Sequence, residues 1–125
     1  MRLLLDTHIF LWSVISDRRL KRSARDLMVA ADAVYVSAAS IWEIAMKCSL
    51  GKIEGDPVEL AAAIAASGFH ELPVTARHGA LVARLPMHHS DPFDRLLVAQ
   101  AMSEPLKLLT SDAQLSPYSE LVTLV

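Results

Sequence analysis

RLLLDTHIFLW, residues Arg2–Trp12, holds an apolar run of strand length with Asp6 immediately behind it. LLTSDAQL, residues Leu108–Leu115, repeats the pattern, with Leu108-Leu109-Thr110 followed closely by Asp112. Runs this short and this apolar read as strands buried on both faces, the mark of a parallel sheet. In an open α/β sheet, ligands bind past the carboxyl ends of the strands, and both acids fall at that edge.

Working outward, strands and helices alternate. A helix is expected over His8–Ile15 and a second over Ser23–Ala31, with Leu27 and Met28 facing inward. Val34–Val36 reads as a strand. A helix follows over Ala38–Leu50, stopped by Gly51, and Asp56-Pro57 opens another that runs to Gly68. Glu71–Val74 is a short strand that carries Pro73, Thr75 caps a helix to Leu85, and Asp91-Pro92 opens a helix to Glu104. Strand Leu106–Thr110, a turn or short helix at Asp112–Leu115 and strand Leu121–Leu124 complete the series. The expectation is one α/β domain over residues 1–125, a three-layer α/β/α fold with a central, mostly parallel sheet flanked by helices.

At 125 residues the chain has the length of one domain able to bury a full core. Its single cysteine, Cys48, forms no internal bridge, and no Cys/His pairs have zinc-finger spacing. The opening MRLLL starts like a signal peptide, but Asp6 and His8 interrupt it. The longest apolar run, Leu60–Ala66, falls well short of the ~20 residues of a membrane helix. A cytoplasmic protein with no membrane partner is expected. The net charge of −2 argues against holding nucleic acid by electrostatics alone. Arg18, Arg19, Lys21, Arg22 and Arg25 crowd one segment, read as a solvated helix start.

Four acids, Asp6, Glu43, Asp94 and Asp112, lie where strands end or helices begin. Acids brought together repel, which raises their pKa values unless a cation neutralises them, and Mg²⁺ or Mn²⁺ is the cation that oxygen ligands suit. Each acid also has a plain local reading. Asp6 caps the next helix, Ser40 and Glu43 fit a capping box unless Ser37 starts that helix and leaves Glu43 deeper inside, Asp94 favours a first turn behind the Asp91 cap, and Asp112 is a turn residue. Glu43 also has Lys47 one turn on as an ion-pair partner. His88-His89, just before the Asp91 helix, and His8, two residues past Asp6, stand where they could reach the pocket but read rather as surface or packing groups, and Ile41, Trp42 and Met46 read as core.

The segments LLLDTHIFLW (Leu3–Trp12), VSAASIWEIAMKCSLGKI (Val36–Ile53), HHSDPFDRLLVAQA (His88–Ala101) and LLTSDAQL (Leu108–Leu115) resemble, in content, order and spacing, the four acidic motifs of PIN-domain ribonucleases. The nearest likeness is to the VapC toxins of prokaryotic toxin–antitoxin pairs. The resemblance implies a PIN-like fold and a metal-dependent endoribonuclease in which Asp6, Glu43, Asp94 and Asp112 hold Mg²⁺ or Mn²⁺. Thr7, Thr110, Asp91 and Lys47 would support them, with Asp91 as helix cap. It further implies an RNA substrate, a cognate VapB-like antitoxin and a homodimer. Ala113, Gln114 and Ser90 depart from the pattern where relatives carry charged or basic residues.

Other classes fit less well. A phosphotransfer receiver needs an acid pair after the first strand, where Asp6-Thr7-His8 stands, and a haloacid-dehalogenase phosphatase needs an Asp where His8 stands. With four glycines, the chain has no Gly-rich nucleotide loop. The non-enzyme alternative is an α/β binding protein that engages a protein partner and whose acids are helix caps.

Overall fold

The computed structural model describes residues 1–125, as a five-stranded sheet between two helical layers. The elements run β1 (Arg2–Leu5), α1 (Thr7–Val14), α2 (Arg22–Ala30), β2 (Ala33–Ser37), α3 (Ala38–Ser49), α4 (Pro57–Ala66) and β3 (His70–Leu72). There follow α5 (Ala76–Val82), α6 (Pro92–Ser103), β4 (Lys107–Thr110), a 3-10 helix (Ala113–Tyr118) and β5 (Val122–Leu124). The strand order is β3-β2-β1-β4-β5, and every pairing is parallel.

Central β1 explains the layering. Leu3, Leu4 and Leu5 are wholly buried because their side chains alternate between two covered faces. Leu3 and Leu5, with Val34, Val36 and Leu109, pack against Ile9 and Phe10 of α1, Ala24 of α2, Ile44 of α3 and Ile64 of α4. Leu4 and Leu108 face the other way, against Leu97, Val98 and Ala101 of α6 and Leu115 and Tyr118 of the 3-10 helix. Each leucine so buried contributes roughly 1.5–3 kcal/mol. Because β1 and β4 are adjacent and parallel, Asp6 and Asp112 follow neighbouring strands off the same edge.

The capping signals act much as read. Asp56 accepts from Val58 N at 2.9 Å, and Thr75 forms a capping box with His78. Gly51 takes φ 73° just past α3, with Lys52 N donating to Lys47 O, a left-handed stop that suits glycine. No helix is long and apolar enough to cross a membrane.

Three expectations need correction. The Thr75 helix ends at Val82 rather than Leu85, since the carbonyls of Val82, Leu85 and Pro86 turn toward the buried guanidinium of Arg95. Strand β3 ends at Leu72, before Pro73, which has no N–H to donate. Trp42 and Met46 are not core. They are 65% and 39% exposed, on the outer side of a helix whose buried stripe runs through Ala39, Ser40, Glu43 and Ile44.

Candidate metal centre

Asp6 is the N-terminal boundary residue of α1, yet its side chain caps nothing. Its Oδ2 instead accepts from Thr110 Oγ1 at 2.6 Å, across the β1–β4 edge. Asp6 is 6% exposed, and burial raises its carboxyl pKa. The Thr110 hydrogen bond and the His8 charge oppose that rise, and the Glu43 charge adds to it.

Glu43 is not part of a capping box either. Ser37 starts α3, its Oγ accepting from Ala39 N at 3.1 Å, which leaves Glu43 two turns inside and 2% exposed. Thr7 Oγ1 donates to Glu43 Oε1 at 2.7 Å and lies 2.9 Å from Ser40 Oγ, while Lys47 Nζ donates to Oε2 at 2.6 Å. Burial pulls the Lys47 ammonium down. The hydrogen bond and charge of Glu43, with the charges of Asp91 and Asp94, outweigh it and leave the pKa raised.

Asp91 caps α6 as expected, its Oδ1 accepting from Phe93 N at 2.8 Å and Asp94 N at 3.2 Å. Its neighbour Asp94 is freed of that task and points into the acidic pocket. Burial, followed by the charges of Asp6, Asp91, Glu43 and Asp112, lifts its pKa from 3.8 to about 8. That set of causes brings the other three candidate acids, with Asp91, within electrostatic reach of the Asp94 carboxyl. Arg95, next in sequence, offers Asp94 no relief: its guanidinium donates to Pro86 O, Val82 O and Tyr118 Oη.

Asp112 does both jobs. Its Oδ1 caps the 3-10 helix through Gln114 N at 2.9 Å, and its backbone N–H donates to Thr110 Oγ1 at 3.0 Å. Thr110 therefore links Asp6 and Asp112. Asp112 Oδ2 meets His89 Nε2 at 3.0 Å, and the same nitrogen lies 3.4 Å from Asp94 Oδ2.

His89 is the one pocket residue that the motif reading left out. Its signal was its place two residues before the Asp91 cap. His88 stacks edge-on against Tyr118, and His8 lies against Trp12, both packing roles as read.

The pocket fits a divalent ion. The charges of Asp6, Glu43, Asp91 and Asp112 all act on Asp94, while the Lys47 ammonium is fixed to Glu43, so Asp94 has no cationic side chain fixed to it. Carboxylate oxygens are the ligand type that suits Mg²⁺ and Mn²⁺, one or two of them binding directly beside retained waters.

The PIN domain family model matches residues 3–121. Among curated proteins none matches significantly. Among solved structures, the chain resembles a VapBC2 complex from Rickettsia felis bound to a promoter DNA fragment, with TM-score 0.72 and 14% identity over 100% of this chain and 98% of that one. It also resembles a toxin–antitoxin complex from Klebsiella pneumoniae, with TM-score 0.67 and 18% identity over 97% and 95% of the two chains. A third similar structure is FitAB bound to the IR36 DNA fragment, with TM-score 0.62 and 18% identity over 88% and 85%. The family model spans the chain from β1 through the 3-10 helix, and the chain belongs to the PIN domain family.

Proposed function

We propose that residues 1–125 act as one domain, a metal-dependent endoribonuclease of the VapC kind and the toxin of a toxin–antitoxin pair. Asp6, Glu43 and Asp94 hold a catalytic Mg²⁺ or Mn²⁺, and Asp112 completes the site. The observation that carries this reading is that Asp6, Glu43 and Asp94 are inward-facing acids with no capping task. That weighs against the alternative in which all four acids are caps, which suits Asp112 only.

An ion held by Asp6, Glu43 and Asp94 would supply the positive charge that a phosphodiester needs at an acidic pocket and would lower the pKa of a water beside it. The chain's own groups prepare that arrangement. Thr110 orients Asp6, Thr7 and Lys47 fix both oxygens of Glu43, and the Asp91 cap sets the first turn of α6 so that Asp94 faces the pocket. In-line hydrolysis of this kind leaves a 5′-phosphate and a 3′-hydroxyl. No covalent intermediate is needed.

Two partners belong to the same proposal. A groove of about 530 Å³ beside the pocket, with Leu11, Trp12, Ile15 and Leu60 as an apolar floor, offers an antitoxin segment a rim of mixed charge in which Arg19 and Lys52 alternate with Glu54, Asp56 and Glu59. Ile15→Glu should relieve inhibition by antitoxin while free protein still cleaves RNA; unchanged inhibition places the partner elsewhere. Trp42 and Met46 of α3 and Leu50 just past its end, exposed at four-residue spacing, form a face that a second copy would cover. A monomer in size-exclusion chromatography at micromolar concentration contradicts the homodimer. RNA and antitoxin would be met in the cytoplasm.

The test is incubation of mixed-sequence single-stranded RNA with purified protein in Mg²⁺, in Mn²⁺ and in EDTA, with end-group analysis of the products. Cleavage in metal alone, giving 5′-phosphate ends, is expected. Equal cleavage in EDTA, or 2′,3′-cyclic phosphate ends, rejects the mechanism.

A further inference from the structure

The contacts of His89 fix which ring nitrogen carries a proton. The backbone N–H of Asp91 donates to Nδ1 at 3.0 Å, so Nδ1 presents its lone pair and Nε2 carries the hydrogen. Nε2 faces two acceptors, Asp112 Oδ2 at 3.0 Å and Asp94 Oδ2 at 3.4 Å. The ring thus places an N–H donor in the gap between two acidic side chains.

The same geometry argues against an obvious alternative. His89, Asp94 and Asp112 offer ligand atoms within 4.8 Å of one another, a spacing that suits a shared ion. A ligating imidazole, however, binds through an unprotonated nitrogen while its other N–H donates to a neighbour. Here the lone pair at Nδ1 is already taken by a backbone donor, and Nε2 has none to give.

We propose that His89 is a positioning residue of the acidic pocket, whose Nε2–H orients Asp112 and holds it beside Asp94 so that both carboxylates are ready for a divalent ion. The inference rests on the reading of the pocket as a metal site. The rest of the molecule holds the donor rigidly. Tyr118 Oη receives hydrogen bonds from His88 N at 3.1 Å, His89 N at 2.8 Å and Arg95 at 3.1 Å, and donates to His89 O at 3.3 Å. Asp112 is held from the other side by Gln114 N on Oδ1, so each of its oxygens has a fixed partner. An arginine that serves no carboxylate thereby contributes to the pocket through Tyr118 and the His89 backbone.

The test compares Mn²⁺ and Mg²⁺ affinity by isothermal titration in the wild type, His89→Leu and His89→Gln. Circular dichroism checks that each is folded, and ¹⁵N NMR of the imidazole reports its tautomer. Glutamine can set an amide N–H where Nε2 stands, and leucine cannot. Loss of an outer-shell hydrogen bond weakens metal affinity about 10–100-fold, which is the fall expected for His89→Leu. His89→Gln should recover most of it, and the Mn²⁺ to Mg²⁺ affinity ratio should stay constant, because no ligand is lost. The wild-type ring should show a protonated Nε2 and a bare Nδ1. Any of four results overturns the proposal: wild-type affinity in His89→Leu, a glutamine variant as weak as leucine, a ratio that falls in both variants, or an Nδ1–H tautomer. If His89→Leu is unfolded, the glutamine variant and the tautomer decide the matter. A wild type that binds metal but cuts no RNA defeats the nuclease reading and leaves this one standing.

Discussion

Asp94→Asn is expected to reduce metal-dependent RNA cleavage by about 10²–10³-fold, the consequence of losing several kcal/mol of charge stabilisation at the metal. The fold should survive, for a reason particular to this position. Burial and the surrounding acids already push the Asp94 carboxyl to about 8, so without metal its neutral form prevails at neutral pH. Asparagine is close in shape to that neutral form. Asp91, not Asp94, supplies the α6 cap, so the helix start is untouched. Initial rates on a single-stranded RNA at saturating Mg²⁺, beside a melting curve, check both parts. Wild-type rates in a folded Asp94→Asn protein would remove Asp94 from the chemistry.

Stability should fall with rising pH in the metal-free protein, and divalent ions should restore it. Asp94 titrates near 3.8 in the unfolded chain and near 8 in the folded one, so over that interval the folded state binds a proton that the unfolded chain has released. Its contribution to stability is therefore complete below about pH 4 and is lost as pH rises through 8. Asp6 is shifted in the same direction, by burial first. Asp17, held at about 2 by hydrogen bonds from Arg19, changes charge below this window. Asp94→Asn should flatten the slope and melt above the wild type at pH 8. An ion at a hundred times its Kd adds about 2.7 kcal/mol, or on the order of 10 °C in Tm for a domain this size. Differential scanning calorimetry at several pH values, with EDTA and with Mn²⁺, reads both effects. A metal-free protein that gains stability from pH 5 to 8, with no shift on adding Mn²⁺, would contradict the electrostatic account.

The strands and caps were legible in the sequence because their signals are local. Leu3–Leu5 and Leu108–Thr110 announce buried parallel strands, and Asp91-Pro92, Asp56-Pro57 and Gly51 mark helix ends with chemistry that acts within one turn. The acids were legible as candidates for the same reason. Their freedom from capping was not, because it depends on which neighbour each carboxylate meets: Asp6 meets Thr110, 104 residues away.

The failures have the same origin. Helical spacing in Ile41, Trp42 and Met46 reports a shared face but not whether that face meets the sheet, and α3 turns Trp42 and Met46 outward. The early end of α5 depends on Arg95, and the placing of His89 depends on Tyr118 and Asp112, all distant in sequence. The position of the His88-His89 pair before a helix cap hints at the pocket, but the partners that hold His89 there leave no local sign.

The central claim, that these acids hold a divalent ion, is tested most directly by a crystal structure grown with Mn²⁺ and measured for anomalous scattering. An anomalous peak within bonding distance of Asp6 and Asp94 carboxylate oxygens, about 2.0–2.2 Å for an ion of this class, is the predicted result. A well-ordered pocket with no anomalous peak, at Mn²⁺ concentrations that support cleavage, would contradict the account.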